Sequence, residues 1–191
     1  DDRVGGSLGQ HLEHGAIIKV RQHGDDRDIL AASRTTALGW MPRGPWNVGG
    51  RTRAFAIDVT SDNILIAGSC SGGMWRSTDQ GQSWNLTTPP NQYKSVSCVA
   101  QDTRTGHTKV WYYGTGESYG TSPSGTGAFY LGNGIYKSTD GGITWNILPS
   151  TTSKSTATLD VWGDLVWNIV TDPSDMTREV VYAAVYGAIY R

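Results

Sequence analysis

The stretch Ser77-Thr78-Asp79-Gln80-Gly81-Gln82-Ser83-Trp84 returns as Ser138-Thr139-Asp140-Gly141-Gly142-Ile143-Thr144-Trp145. Each copy follows an aromatic residue and a base, Trp75-Arg76 and Tyr136-Lys137. Two matches of this quality within 191 residues define a structural repeat, and a repeat restricts architecture more than composition does. The spacing S-x-D-x-G-x-x-W predicts a tight turn between two strands. Asp79 and Asp140 are placed to accept hydrogen bonds from backbone N–H groups just ahead of them. Gly81 and Gly142 supply the positive φ that such a turn requires, and Ser77 and Ser138 close it from the other side. Trp84 and Trp145 begin the returning strand, where an indole covers the turn and buries a large apolar surface. The turn reads as a structural staple rather than a calcium or sugar site, because each polar group named has a local partner.

Aligning outward from the two copies recovers larger units. Arg53-Ala54-Phe55-Ala56-Ile57-Asp58 matches Val96-Ser97-Cys98-Val99-Ala100-Gln101-Asp102 and again Val166-Trp167-Asn168-Ile169-Val170-Thr171-Asp172. Each run is rich in strand formers and ends at an Asp that begins a turn. Second strands follow at Ile64-Leu65-Ile66-Ala67-Gly68, Val110-Trp111-Tyr112-Tyr113-Gly114 and Val180-Val181-Tyr182-Ala183-Ala184, and third strands at Gly73 to Arg76 and Gly134 to Lys137. A third copy of that last run is Ala188-Ile189-Tyr190-Arg191, so Arg191 takes the place of Arg76 and Lys137.

The repeated motif resembles the Asp-box, or BNR repeat, of sialidases, sortilin-type receptors and xyloglucan-cleaving hydrolases. The resemblance implies an all-β fold, a β-propeller of four-stranded antiparallel blades. Blades are expected near residues 51–88, 95–149 and 165–191, the last one incomplete, with residues 1–38 as an N-terminal extension. Propellers close with about 4–8 blades. The chain therefore reads as the N-terminal piece of a longer propeller, whose remaining blades would be its first partner.

A formal net charge of -1 gives no reason to expect nucleic acid or an anionic membrane as partner, and no apolar run suits membrane insertion. Cys70 and Cys98 are the only cysteines; a disulfide and two buried thiols are equally open readings. No metal or cofactor is expected. His11-Leu12-Glu13-His14 lacks a helical context and a third ligand, and the glycines belong to turns. Asn85-Leu86-Thr87 is an N-glycosylation sequon by pattern.

Function is sought on the face opposite the repeated turns, where the loops are unusual. Between Gly114 and Lys137 the second unit inserts Thr115-Gly116-Glu117-Ser118-Tyr119-Gly120, a Ser/Gly stretch and Gly127 to Asn133, where the first unit has only Ser69 to Gly72. Glu117 with Tyr119, Phe129 and Tyr130 is the candidate glycan patch, rings stacking on sugar faces and the carboxylate accepting hydroxyls. A loop that merely packs over the face is the alternative. Gly44 to Arg51 approaches from the same side and aims Arg51 at the central channel, toward an anion, a carboxylate or loop carbonyls.

The order Trp40, Gly44 to Arg51, Gly114 to Glu117 and the two boxes also resembles large secreted bacterial BNR proteins, many of them type IX secretion cargo. That resemblance implies an extracellular or cell-surface location. Xyloglucan-type hydrolases look similar and carry a catalytic Asp ahead of a Gly-Gly-x-aromatic-Arg run. Here the run is Gly72-Gly73-Met74-Trp75-Arg76, and Cys70 stands where that Asp would be. The sialidase Arg-Ile-Pro motif is absent. The reading that follows is a non-catalytic module binding glycan or a surface protein. The alternative is a glycoside hydrolase whose catalytic residues lie partly on further blades; an assembly factor for a membrane complex matches the boxes but not the Gly-Thr-Gly-Glu loop.

Overall fold

Alternating apolar residues on short runs separated by Asp- and Gly-containing turns should give small antiparallel sheets with both faces in use. The computed structural model describes residues 51–117 and 130–191 and shows this arrangement. The first sheet contains β1 (Thr52–Asp58), β2 (Ser61–Ser69), β3 (Gly73–Ser77) and β4 (Asn85–Leu86), hydrogen-bonded in chain order. The second repeats that order with β5 (Val96–Gln101), β6 (Trp111–Thr115), β7 (Ile135–Ser138) and β8 (Asn146–Ile147). The third has three strands, β9 (Val166–Thr171), β10 (Val181–Val185) and β11 (Ala188–Tyr190). All pairings are antiparallel, and two 3-10 turns, Pro149–Thr151 and Trp162–Asp164, lie between the second and third sheets in sequence. The fold is the all-β, partial-propeller architecture that the repeat implies.

Registers coincide from sheet to sheet. Gly68 pairs with Met74 and Ile66 with Arg76; Gly114 pairs with Ile135 and Tyr112 with Lys137. Side chains on β6 therefore alternate between neighbours: Trp111 and Tyr113 join a cluster with Ala54, Ile66 and Met74 of the first sheet, whereas Tyr112 joins Val166, Ile169 and Ala183 of the third. Neighbouring sheets approach through their first two strands, β1 against β5 and β5 and β6 against β9.

Small residues make that approach close. A Cβ on Gly68 would lie 2.4 Å from Val96 Cγ1, and one on Gly114 would lie 2.5 Å from Val166 Cγ1. Toward β3 and β7 the gap between the first two sheets is filled by rings instead. Tyr113 stacks on Tyr136 with centroids 4.7 Å apart, and Trp145 meets Tyr113 edge-on at 4.9 Å. Glycine on the second strands against valine on the neighbouring first strand, with aromatics farther out, forms a wedge, the shape needed to arrange sheets around an axis.

At the end bearing the repeated hairpins, polar side chains tie sheet to sheet. Gln101 Nε2 donates to Asp58 Oδ2 at 3.0 Å, while Val59 N–H donates to Gln101 Oε1 at 3.0 Å. The buried Arg104 pairs with Asp102 at 2.6 Å and donates to the carbonyls of Asp175 and Arg178 at 3.0 and 2.6 Å. A buried guanidinium is tolerated here because a carboxylate and two carbonyls accept hydrogen bonds from its N–H groups.

Candidate functional site at the loop face

The repeated hairpins consume their own polar groups. Ser77 Oγ donates to Asp79 Oδ1 at 2.7 Å and accepts the Gly81 N–H at 2.8 Å; Asp79 also takes the Ser83 N–H at 2.8 Å and its hydroxyl at 2.6 Å. The second hairpin is a near copy: Ser138 Oγ to Asp140 Oδ1 at 2.7 Å, Gly142 N–H to Ser138 Oγ at 2.9 Å, and Thr144 N–H and hydroxyl to Asp140 at 2.9 and 2.6 Å. Gly81 and Gly142 adopt φ of 84° and 80°. These bonds, led by that from the Ser83 hydroxyl, hold the Asp79 carboxyl at about 2. Trp84 is half-buried and donates its indole N–H to Gly81 O of its own turn at 3.1 Å. Trp145 is buried and donates across to Thr87 Oγ1 of the first sheet at 3.0 Å. Trp145 therefore bridges two sheets and does not merely cover its own turn.

The opposite face is built around the Thr115-Gly116-Glu117 end of β6. Thr115 Oγ1 donates to Gly134 O at 2.6 Å and accepts the Asn133 N–H at 2.7 Å, which pins the returning loop. Gly116 has φ +93°, and a Cβ there would fall 2.1 Å from Asp164 O; only glycine allows the approach. Glu117 and Tyr130 exchange backbone hydrogen bonds at 2.7 and 2.8 Å. The Glu117 carboxylate is then met by two guanidiniums. Arg51 Nη2 donates to both oxygens at 2.7 and 2.6 Å, and Arg53 Nη1 lies 2.6 Å from Oε1.

This geometry alters the expected role of Glu117. The residue is 2% exposed, and its oxygens are held inside the chain by Arg51 and Arg53. Removing one partner of such a buried group typically costs about 3–5 kcal/mol. A group that accepts sugar hydroxyls must present itself to the ligand, and Glu117 is instead the centre of an ion-pair triad. Arg51 remains partly exposed and Tyr130 is exposed, so these two of the candidate ligand residues face solvent. Tyr119, Phe129, residues 44–50 and residues 1–38 lie outside the described residues. Arg53 was missed in the sequence; it lies on β1, two residues after Arg51, next to a register shift between Thr52 and Ala54 that breaks simple strand alternation.

Cys70 joins the same cluster, its N–H donating to Arg51 O at 3.1 Å. Both cysteines are free and buried. Burial pushes the Cys98 thiol up to about 11, and burial, then the charge of Glu117, pushes Cys70 upward too. Neither is poised as a thiolate nucleophile. Among the described residues no group of three or more His, Cys, Asp and Glu is arranged to hold a metal ion.

Fold and loop face together define a segment of an all-β propeller with one elaborated loop on its second sheet. No protein-family model matches the chain. Among known proteins it is similar to a xyloglucanase from a Paenibacillus species, 31% identical over 145 residues, covering 71% of this chain and 13% of that protein. A xyloglucanase of Acetivibrio thermocellus is 33% identical over 116 residues, covering 54% of this chain and 13% of the relative. The chain thus spans about an eighth of the curated relatives it matches. Among solved structures, an ancestral GH74 enzyme superposes with a TM-score of 0.55 at 20% identity, over 73% of this chain and 17% of that one. That likeness shows the fold.

Proposed function

We propose that the chain is a glycan-binding portion of an exported Asp-box propeller and contributes no catalytic carboxylate of its own. One observation carries this reading: the one carboxylate of the inserted loop among the described residues, Glu117, is buried against Arg51 and Arg53. The position just after β2, where similar hydrolases place an Asp, holds Cys70. Glycoside hydrolysis ordinarily needs two carboxyl groups flanking the scissile bond, each within reach of the substrate. The likeness to xyloglucanases supports a β-glucan backbone, xyloglucan included, as the class of ligand, with Tyr130 and Arg51 at its contact surface together with Tyr119 and Phe129 of the same loop.

The test uses the full polypeptide that contains this segment, offered xyloglucan and unbranched β-glucans. Retention on xyloglucan without release of new reducing ends is the expected result. That likeness favours a second reading, a hydrolase whose acid and base lie on other blades; it predicts turnover that survives Glu117→Gln. Turnover lost in a folded Glu117→Gln protein would overturn the first reading, and Cys70→Asp serves as the complementary variant, expected to leave binding unchanged.

A further inference from the structure

The inserted segment of the second sheet returns to β7 through Tyr130, Leu131, Gly132 and Asn133, and each of these is tied to a different part of the chain. Tyr130 exchanges backbone hydrogen bonds with Glu117 at the end of β6. Leu131 O accepts the hydroxyl of Tyr93, and Gly132 N–H donates to Asp164 O at 2.6 Å. Asn133 N–H donates to Thr115 Oγ1 at 2.7 Å; its side chain accepts the Thr152 hydroxyl at 2.7 Å and donates to Tyr136 OH at 3.3 Å. The Asn133–Thr115 bond repeats one on the first sheet, where Gly72 N–H donates to Ser69 Oγ at 3.1 Å. The ties of Leu131 and Gly132 instead reach the two segments that lead from one sheet to the next.

Tyr93 stands on the first of those segments, and the chain is braced on both sides of it. Gln92 Nε2 donates to Trp145 O at 2.5 Å, and Gly73 N–H donates to Lys94 O at 2.9 Å. The Tyr93 hydroxyl therefore reaches Leu131 from a base fixed to both the first and the second sheet. Burial, then the neighbouring Tyr136 and Tyr130 hydroxyls, raises the Tyr93 phenol above its ordinary value, so it stays protonated and able to donate.

The residue this limb carries outward is Tyr130, which is 51% exposed. Polar side chains around it are engaged within the chain: Glu117 by Arg51 and Arg53, Thr115 by Gly134 O, Asn133 by Thr152 and Tyr136. An aromatic ring is what this stretch has to offer a sugar, and a ring held in place before binding loses less freedom on binding.

We propose that Tyr93 is a positioning residue for the glycan contact of Tyr130: its hydroxyl fixes the Leu131 peptide, and through it the ring one residue earlier, without touching the sugar. The proposal rests on the glycan-binding reading above and deepens it, because it makes the segment between the first two sheets part of the binding device.

The experiment measures xyloglucan affinity of the full polypeptide by titration calorimetry, unsubstituted and as Tyr93→Phe, Tyr130→Ala and the double variant. Tyr93→Phe keeps the ring and removes only the tether. It is expected to weaken binding by about three- to tenfold, the net worth of one hydrogen bond. In the Tyr130→Ala background the same change should matter by no more than about twofold, the tolerance of additivity. Amide exchange at Glu117 and Gly132 should quicken in Tyr93→Phe, with β1 and β2 unchanged. Equal losses in both backgrounds, or no loss in the first, overturn the proposal. Weaker binding with unaltered exchange also overturns it, because Tyr93 would then touch the sugar itself. An unsubstituted protein that does not bind xyloglucan sinks the glycan-binding reading and this role together, whereas binding with additive losses sinks this role alone.

Discussion

Replacing Trp145 and Trp84 separately compares a fully buried indole that bridges sheets with a half-buried one. Trp145 is 3% exposed, packs edge-on against Tyr113 and hydrogen-bonds Thr87 of the neighbouring sheet. Trp→Ala at a fully buried site costs about 3–5 kcal/mol, transfer and cavity together, and the ring pairing with Tyr113 places Trp145→Ala toward the upper end. Trp84 is half-buried and satisfies its N–H within its own turn, so Trp84→Ala should cost roughly half as much, ~2 kcal/mol, by apolar area. Urea unfolding followed by far-ultraviolet circular dichroism reads both without relying on the indoles. The midpoint should fall in both variants at unchanged slope, with the larger fall for Trp145→Ala. Equal losses would mean that each indole merely covers its own hairpin, and the argument from sheet-to-sheet packing would fail.

Gly114→Ala should destabilise by about 1–3 kcal/mol through overpacking, because its Cβ would meet Val166 at 2.5 Å and Cys98 Sγ at 2.8 Å. A double-mutant cycle with Val166→Ala should show strong positive coupling, and additivity would refute the contact. The first hairpin should loosen in acid. Its Asp79 carboxyl is held at about 2 against an ordinary 3.8, so its contribution is complete above pH about 4 and fades as pH falls toward 2. Amide exchange at Ser83 should rise across that window, and Asp79→Asn should abolish the pH dependence; a flat profile in the unsubstituted protein would count against it.

The fold was legible because the repeat is local. S-x-D-x-G-x-x-W lies within one turn, and strand alternation on β6 assigns Tyr112 to one neighbour and Trp111 and Tyr113 to the other without long-range information. The pairing of Arg51 with Glu117 spans 66 positions, and no pattern in one sequence links residues that far apart. Sequence could name both residues but not that each is the other's partner. Arg53 went unnoticed for the same reason, and the state of Cys70 and Cys98 depends on a separation that spacing leaves open. Thr88 and Thr151, which each accept a strand amide through a hydroxyl, repeat in space but sit at unequal distances from their partners, 14 and 16 residues, so alignment by spacing passes over them.

What recurs within the chain is what holds sheets together: the hairpin serines and aspartates, Gly68 and Gly114 beneath Val96 and Val166, Thr88 and Thr151 on their strand amides. None of these residues can distinguish one propeller's chemistry from another's, because any propeller needs them. Evidence about function must lie where the repeat is broken. The first sheet closes its loop after β2 through the Ser69 hydroxyl, which accepts the Gly72 N–H at 3.1 Å. The second sheet inserts a long segment at the same point and anchors it through Thr115, Gly116 and the triad of Glu117 with Arg51 and Arg53. A buried ion-pair triad costs desolvation and adds little net stability over apolar packing. What it does provide is a fixed origin for the inserted segment against β1, because Glu117 is held at once by two guanidiniums and by its backbone pair with Tyr130. Glu117, which the sequence marked as a ligand contact, has its carboxylate oxygens engaged by Arg51 and Arg53, and its geometry is that of a support at the root of the inserted segment.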